Sequence, residues 1–560
     1  MKKVLCFFND FFIGLKRNVV FNLFLLVLIG ISFFGGTKVK AYYSFNRNQS
    51  VSFTTATYTA LSLTTDRSTY GMCNRDATVK LTINNPNIYN VNYTISINDS
   101  KLTYTVDGSS GSSYTVTKNG TNTHTIVLKG TTTNTSVSII VTPTGAYSSS
   151  HSKSISLDLV CPVCTWETPS VSKLMKDQTF TYNLTCTDAS GIATSTLAST
   201  AFTVSNSNMI SITGVTATKV TNGYKYGLTV KGGSTNGNAT ISVKAGSVAD
   251  NNSNKNASVT SSNINVNNNV TVNFDHNYNI LNENTSSWTF QGQSKVDSSN
   301  QYNGKTGVAV YSNENKYTGI RIPILSTNYH QNVTYLLSGQ FKKGTNFTGT
   351  LRYYAPTGNS SGTVAWNLIG ISASSLSTSW KLFQTKISSS TYTMSNLNLD
   401  YDTVSQGPTY ASDFRLREYA TDTKQYKTAY GTLPTSTRVG YTFSGWYTGE
   451  TDGTKVTDTT TITNTNEHTL YGHWNANTYT INYYTYDGKT KLGSSTHTYD
   501  SAKALTTMAT LKGTAPNSNV TFYGWATSAN STSRVYTDGQ SVTNLTATSG
   551  GTINLYAIYR

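Results

Sequence analysis

The sequence predicts an all-β protein assembled from several small modules. Three observations carry this. Uncharged polar residues alternate with Val, Ile, Leu, Tyr and Phe in short runs, the period of a strand with one face in a core and the other in water. Charged residues make up only 12% of the 560 residues while aromatics also reach 12%, whereas a chain low in charge through disorder would lack aromatic and β-branched residues as well. Hairpin dipeptides such as Asp107-Gly108 and Asn119-Gly120 punctuate the alternating runs. At ~150 residues per domain the length implies about four domains, and small repeats raise that to five.

Residues 1–41 read as an export signal. Lys2, Lys3, Lys16 and Arg17 precede the apolar stretch Leu23 to Ile31, and Val39-Lys40-Ala41 offers a cleavage site. A retained anchor helix is the alternative, because apolar residues extend from Val19 to Phe34 with breaks at Asn22 and Ser32. That run is shorter than the ~20 residues a spanning helix needs. Loss of residues 1–41 removes six basic residues and Asp10, lowering the formal charge from +16 to +11. The remaining bases occur as pairs such as Lys342-Lys343 and Arg415-x-Arg417, not as the patch or stripe that nucleic acid requires. No nucleic-acid partner is expected; anionic cell-wall polymers and glycans suit the charge better.

Residues 42–162 carry the runs Ala77–Ile83, Asn92–Ile97, Thr125–Leu128 and Val137–Val141, the spacing of an immunoglobulin-like sandwich. A second sandwich is expected over 163–268, with a strand Phe180–Cys186 and a turn Asp188–Ile192. Its phrase Ala245-Gly246-Ser247-Val248-Ala249-Asp250, followed by Asn254 and Asn256, resembles the end of bacterial immunoglobulin-like surface domains, with Ser253 where those modules usually have Gly. Asp188, Asp250 and Asn254 have oxygen side chains suited to calcium; ordinary Asx turns are the competing reading. No other cofactor is expected.

Cys6 leaves with the signal, and Cys73, Cys161, Cys164 and Cys186 remain. Cys161-Pro162-Val163-Cys164 has redox or zinc spacing, but there is no second such pair and the nearest histidine is His151. An even number in an exported chain points to disulfides, for which three connectivities exist. One bond per sandwich, Cys73–Cys161 and Cys164–Cys186, is the expected set.

Residues 269–420 change to longer strands: Thr334–Lys342, Gly349–Tyr354, Ser379–Thr385 and Ser412–Glu418. Their order resembles jelly-roll carbohydrate-binding modules, and the resemblance implies core roles for Trp380 and Phe414. Sugar sites set aromatic faces against pyranose C–H groups, with a few polar groups fixing orientation. Trp366 follows the Gly/Ser-rich segment Pro356 to Gly362 and is the first ligand candidate; a core position is its alternative. Tyr353 and Tyr354 are adjacent, so one of them can face a cleft, and Arg352 and Asn367 can supply hydrogen bonds.

The chain ends in two related units, expected over 421–475 and 476–560. Gly440-Tyr441-Thr442-Phe443-Ser444-Gly445-Trp446-Tyr447-Thr448 returns as Val520-Thr521-Phe522-Tyr523-Gly524-Trp525-Ala526-Thr527, and His468–Trp474 returns as Ile553–Tyr559. These phrases resemble the internalin B-repeat (Listeria–Bacteroides repeat) family of β-grasp-like modules on bacterial surface proteins. Alternation puts Phe443 and Gly445 on one face and Trp446 on the other. The first copy has no counterpart of the strand Tyr479–Tyr483, which the preceding module could supply.

Nothing in the sequence points to catalysis. The seven histidines are scattered over different modules, there is no HExxH, GxSxG or phosphate loop, and acids are too sparse to favour a paired-carboxylate hydrolase. The expected function is a non-catalytic exported protein of the cell envelope, surface-bound or secreted. It would act in adhesion, or as a stalk presenting a binding module to host or neighbour-cell components. The alternative is glycan capture through residues 270–420. The secreted chain should begin at Tyr42; Edman sequencing that instead finds Met1 on membrane-bound protein would contradict cleavage.

Overall fold

The alternating runs fold as strands. The computed structural model describes residues 40–44, 50–54, 57–145, 149–311, 319–358, 364–389, 394–401 and 407–560, with the side chains of 40–54, 356–358 and 364–368 left out. The export signal expected over residues 1–41 lies outside the described residues except for Lys40 and Ala41, which open the strand Lys40–Ser44. No described helix is long and apolar enough to cross a membrane. The chain divides into two compact units, residues 1–268 and 269–560.

The first unit holds two sandwiches. In the first, a four-stranded sheet (Ser62–Thr65, Ala77–Asn84, Thr121–Gly130, Leu102–Val106) faces a five-stranded one (Thr69–Gly71, His151–Asp158, Ser136–Pro143, Val91–Ile97, Ser113–Val116). Alternation places every second residue inside: Ala77, Val79, Leu81 and Ile83 are buried while Thr78, Lys80 and Asn84 are exposed. Tyr93, fully buried, finds a polar partner in His124 Nε2 at 2.5 Å, and His124 Nδ1 meets Asp107 Oδ2 at 2.6 Å.

The second sandwich pairs Val163–Trp166, Thr179–Thr187, Gly223–Gly232 and Ile210–Val220 in one sheet. Phe202–Val204, Ile241–Val243 and Val259–Thr260 form a smaller sheet, and both contribute to a core that includes Tyr182, Leu228 and Ile241. Cys73 is bonded to Cys161 and Cys164 to Cys186, the pairs the sequence suggested. The second bond joins direct cross-strand neighbours. The first spans 88 residues, a loop long enough for the crosslink to stabilise its sandwich by ~2–4 kcal/mol through the unfolded state.

In the second unit, strands of residues 269–425 make a sandwich whose core contains Tyr335, Phe341, Leu351, Leu399 and Phe414. Trp380 departs from expectation: it is only half-buried, with Lys342 Nζ 4.8 Å over its ring. It lies just before the strand Lys381–Ser388, outside the alternation that would turn it inward. The strand Thr409–Gln425 is continuous across position 420, where a module boundary was expected.

That continuity matters for the first repeat. Asn269–Asp275, the sandwich's opening strand, pairs antiparallel with Thr409–Gln425 along one edge and parallel with His468–Ala476 along the other. It therefore takes the place of the opening strand that this repeat lacks. The second repeat makes the same parallel pairing internally, Thr478–Tyr484 beside Thr552–Tyr559. Its sheet order, Lys491–Thr498, Thr478–Tyr484, Thr552–Tyr559, Phe522–Ala526, has the first and last strands central, as in β-grasp modules. The correspondence reaches single residues. Phe274 lies opposite Leu470 and packs on Trp446 at 5.1 Å; Tyr483 lies opposite Leu555 and packs on Trp525 at 4.9 Å.

The predicted alternation around Trp446 fails for a definable reason. A bulge between Phe443 and Gly445 shifts the register, so Phe443 opposes Trp474 and Trp446 opposes Gly472 on the same face. Phe443 and Trp446 therefore touch, 5.4 Å between centroids. The bulge recurs between Phe522 and Gly524. Gly445 and Gly524 adopt φ of +121° and +150°, open to glycine at little cost.

Because the first repeat completes its core with a sandwich strand, the two repeats should differ as isolated pieces. Residues 477–560 made alone should show a cooperative circular-dichroism melt, and residues 426–476 alone should not. In the full chain, Phe274→Ala should remove ~3–5 kcal/mol from the second unit, as for a buried aromatic. A cooperative melt from 426–476 would contradict the shared-strand reading.

Candidate functional site

The binding candidates lie on the five-stranded sheet of the second unit's sandwich, ordered Thr289–Phe290, Gly319–Pro323, Asn396–Tyr401, Thr350–Gly358, Val364–Ser372. Period-2 alternation divides its residues between two faces. Leu351, Tyr353, Leu397, Leu399, Ile320 and Ile322 face the core. Arg352, Tyr354, Asn398, Asp400 and Arg321 share the opposite face, since Arg352 pairs with Asp400, Tyr354 with Asn398, and Arg321 with Asn398.

Tyr353 is thus removed from the candidates. It is fully buried, and its hydroxyl donates to the Ser338 carbonyl at 2.7 Å. Tyr354 is the one of the pair on the outer face. The register sets position 366 opposite Pro356, in the row of Arg352 and Tyr354, and position 367 opposite Ala355, in the core row. The side chains of Trp366 and Asn367 lie outside the described residues.

The outer face has a built polar centre. Arg352 Nε and Nη2 each reach Asp400 Oδ1 at 2.7 Å, and the Tyr354 hydroxyl donates to Asp400 Oδ2 at 2.6 Å. The Arg352 guanidinium also lies 5.4 Å from the Tyr354 ring centroid. Burial pushes Asp400 above the ordinary carboxylate value, against the pull of Tyr354 and Arg352, and raises Tyr354 to about 12. Beside this centre Asn398 Oδ1 is buried with no hydrogen-bond partner. Arg321 stands exposed at one flank, and Gly370, opposite Arg352, leaves the other flank without a side chain. The ensemble offers fixed donors, fixed acceptors and one acceptor still to be satisfied. Asp400, Asn398 and Arg321 were missed in the sequence, where nothing marks them as neighbours of Arg352.

The calcium candidates separate as well. Asp188 and Asp250 converge, joined by Asp158, which the sequence did not suggest. Asn254 is engaged in hydrogen bonds: its Oδ1 accepts from Cys73 N at 2.8 Å, and its Nδ2 donates to Asp250 Oδ2, Asp158 O and Val160 O. Burial, with the charges of Asp158 and Asp188 nearby, pushes Asp250 above the ordinary carboxylate value although Asn254 hydrogen-bonds both its oxygens.

Two of the scattered histidines meet on one carboxylate. His276 Nδ1 lies 3.5 Å and His330 Nδ1 2.7 Å from the oxygens of Glu418. The trio holds the segment entering the first repeat, since His276 also bonds Ser436 and His330 Nε2 lies 3.2 Å from Thr437 Oγ1. Burial pushes His276 below the ordinary histidine value. This arrangement is a packed seam.

Comparison with known proteins gives one family match and several similar structures. No curated protein matches the chain. A xylan-binding domain (CBM22-1) of Xyn10C from Paenibacillus barcinonensis is 19% identical, over 25% of this chain and 91% of that one, with a TM-score of 0.21. A family 16 carbohydrate-binding module is 17% identical over 25% and 99%, with a TM-score of 0.20. The Escherichia coli adhesin FdeC is 14% identical over 61% and 98%, with a TM-score of 0.19. Residues 405–473, which cover most of the first repeat and the strand leading into it, match the Listeria–Bacteroides repeat domain family.

Proposed function

We propose that the chain is a non-catalytic exported surface protein that captures glycans on the outer face of the 269–425 sandwich, the other modules acting as spacers. The observation that carries this reading is the polar row Arg321, Arg352, Tyr354, Asn398 and Asp400, with Asn398 Oδ1 buried and unpaired. A buried acceptor without a donor is costly, and a sugar hydroxyl is a donor of suitable size. Two disulfides fit an oxidising compartment. The repeat match fits a protein of the bacterial surface. Trp366, the aromatic candidate from the sequence, is registered opposite Pro356 in the same sheet. Adhesion to host or neighbouring cells, or to cell-wall polymers, follows if the captured glycan belongs to those surfaces.

A glycan array probed with the mature chain tests this. Binding should be retained by the wild type, lost in Trp366→Ala, and weakened ~10-fold in Asn398→Leu, the equivalent of one hydrogen bond of ~1.4 kcal/mol. The Asn398→Leu variant should melt close to the wild-type temperature, because removing an unpaired buried oxygen offsets the loss of the Asn398 contact with Tyr354. A wild-type chain that retains no glycan at millimolar concentration would end the capture reading and leave this sandwich as one more spacer.

A further inference from the structure

Asp158, Asp188 and Asp250 each place a carboxylate oxygen within 4.8 Å of the other two. They come from different places in the chain. Asp158 ends the last strand of the first sandwich, His151–Asp158; Asp188 follows the strand Thr179–Thr187 of the second; Asp250 lies in the loop after Ile241–Val243. Among the described residues none of the three pairs with a lysine, arginine or histidine. The decisive atom is on Asp188. Its Oδ1 accepts from Ser190 N at 2.8 Å and Ser190 Oγ at 2.7 Å, which leaves Oδ2 buried with no partner in a residue only 7% exposed. An unpaired buried carboxylate oxygen beside two further carboxylates calls for a cation.

From this convergence we propose that Asp158, Asp188 and Asp250 bind one calcium ion, which braces the two sandwiches of the first unit against each other. The donors are all oxygens, the preference of a hard cation, and calcium takes them at ~2.3–2.6 Å. Oxygens bound to one calcium lie no more than about 4.8 Å apart, and the three carboxylates meet that limit; magnesium gives up its water reluctantly and suits an all-protein oxygen site less well. Outer hydrogen bonds hold the ligands in place, as at metal sites generally. Asp158 accepts from Val160 N and from Asn252 Nδ2, at 3.1 and 2.9 Å. Asp250 accepts from Asn254 N and Nδ2, at 2.7 and 3.0 Å.

The same loop of the second sandwich already lies against the first. Gly71 N donates to Asn252 O at 2.8 Å, and a β-carbon on Gly71 would come within 2.5 Å of that oxygen and of Asn254 Oδ1. Glycine at position 71 permits the approach that carries Asp250 to Asp158. The ion's two positive charges offset most of the repulsion among the three carboxylates that meet across the contact.

The full mature chain, stripped with EDTA and titrated with calcium chloride in a calorimeter, tests the site. One ion per chain is expected, with a Kd between ~10⁻⁵ and ~10⁻³ M, the range spanned by weaker sensor sites and extracellular modules. Asp188→Asn and Asp158→Asn should each weaken it at least tenfold, since loss of even an orienting partner costs ~10–100-fold. Magnesium chloride should bind at least tenfold more weakly than calcium. In EDTA both variants should melt at or above the wild type, because one of three repelling charges is gone. In calcium only the wild type should rise. No binding by the wild type at millimolar calcium, unchanged affinity in Asp188→Asn, equal affinity for magnesium, or variants melting well below wild type in EDTA would each overturn the proposal.

Discussion

One strand holds the second unit together. Asn269–Asp275 is hydrogen-bonded to the sandwich on one side and to the first repeat on the other. Parallel neighbours cannot be joined by a tight turn and need a long crossover. The second repeat meets this need within itself, using the residues between Thr478–Tyr484 and Thr552–Tyr559. The first meets it with the whole sandwich as the crossover. Phe274 then fills the position that Tyr483 fills in the second copy, and His468–Ala476 gains a partner strand on each side, at His468–Tyr471 and at Tyr471–Ala476. The seam is reinforced by ions: Arg417 reaches Asp275 at 3.0 Å and Glu450 at 3.2 Å.

Much of this was legible in the sequence because strand alternation is local. Ala77–Ile83 shows its inward row in every second letter, and the tandem phrases around Trp446 and Trp525 disclose the repeats. Even the missing opening strand showed as a gap between two copies of one pattern. What failed depended on pairing. A bulge at Ser444 cannot be seen without the partner strand, so Phe443 and Trp446 were assigned to opposite faces. Tyr353 and Tyr354 are equivalent in sequence until the register decides which one faces the core. Asp158 lies far from Asp188 and Asp250 along the chain, and only the docking of the 250–256 loop on Gly71 brings them together.

The two units use different devices to restrain modules. In the first, disulfides close each sandwich, and a loop of hydrogen-bonding asparagines seats one on the other, with Asn254 serving Cys73, Asp158, Val160 and Asp250 at once. In the second, a shared strand does what no crosslink does. Low charge makes sense in both: solvent faces carry Ser, Thr and Asn that hydrogen-bond across strands, as Ser138 with Ser154 in the first unit and Asn482 with Asn554 in the second do at 3.1 and 3.2 Å. Against that uniform surface the Arg352–Tyr354–Asp400 cluster stands out as a place where charge was buried on an outward face.

Native-state hydrogen exchange on the full chain measures the central claim directly. If the shared strand makes the sandwich and first repeat one cooperative piece, amides of His468–Ala476 will open with those of Thr409–Gln425 at the same free energy as denaturant is raised. Amides of Thr552–Tyr559 will open separately. If His468–Ala476 instead opens with Thr552–Tyr559 while Thr409–Gln425 stays protected, the two repeats are a tandem pair of their own and the shared strand is an incidental contact.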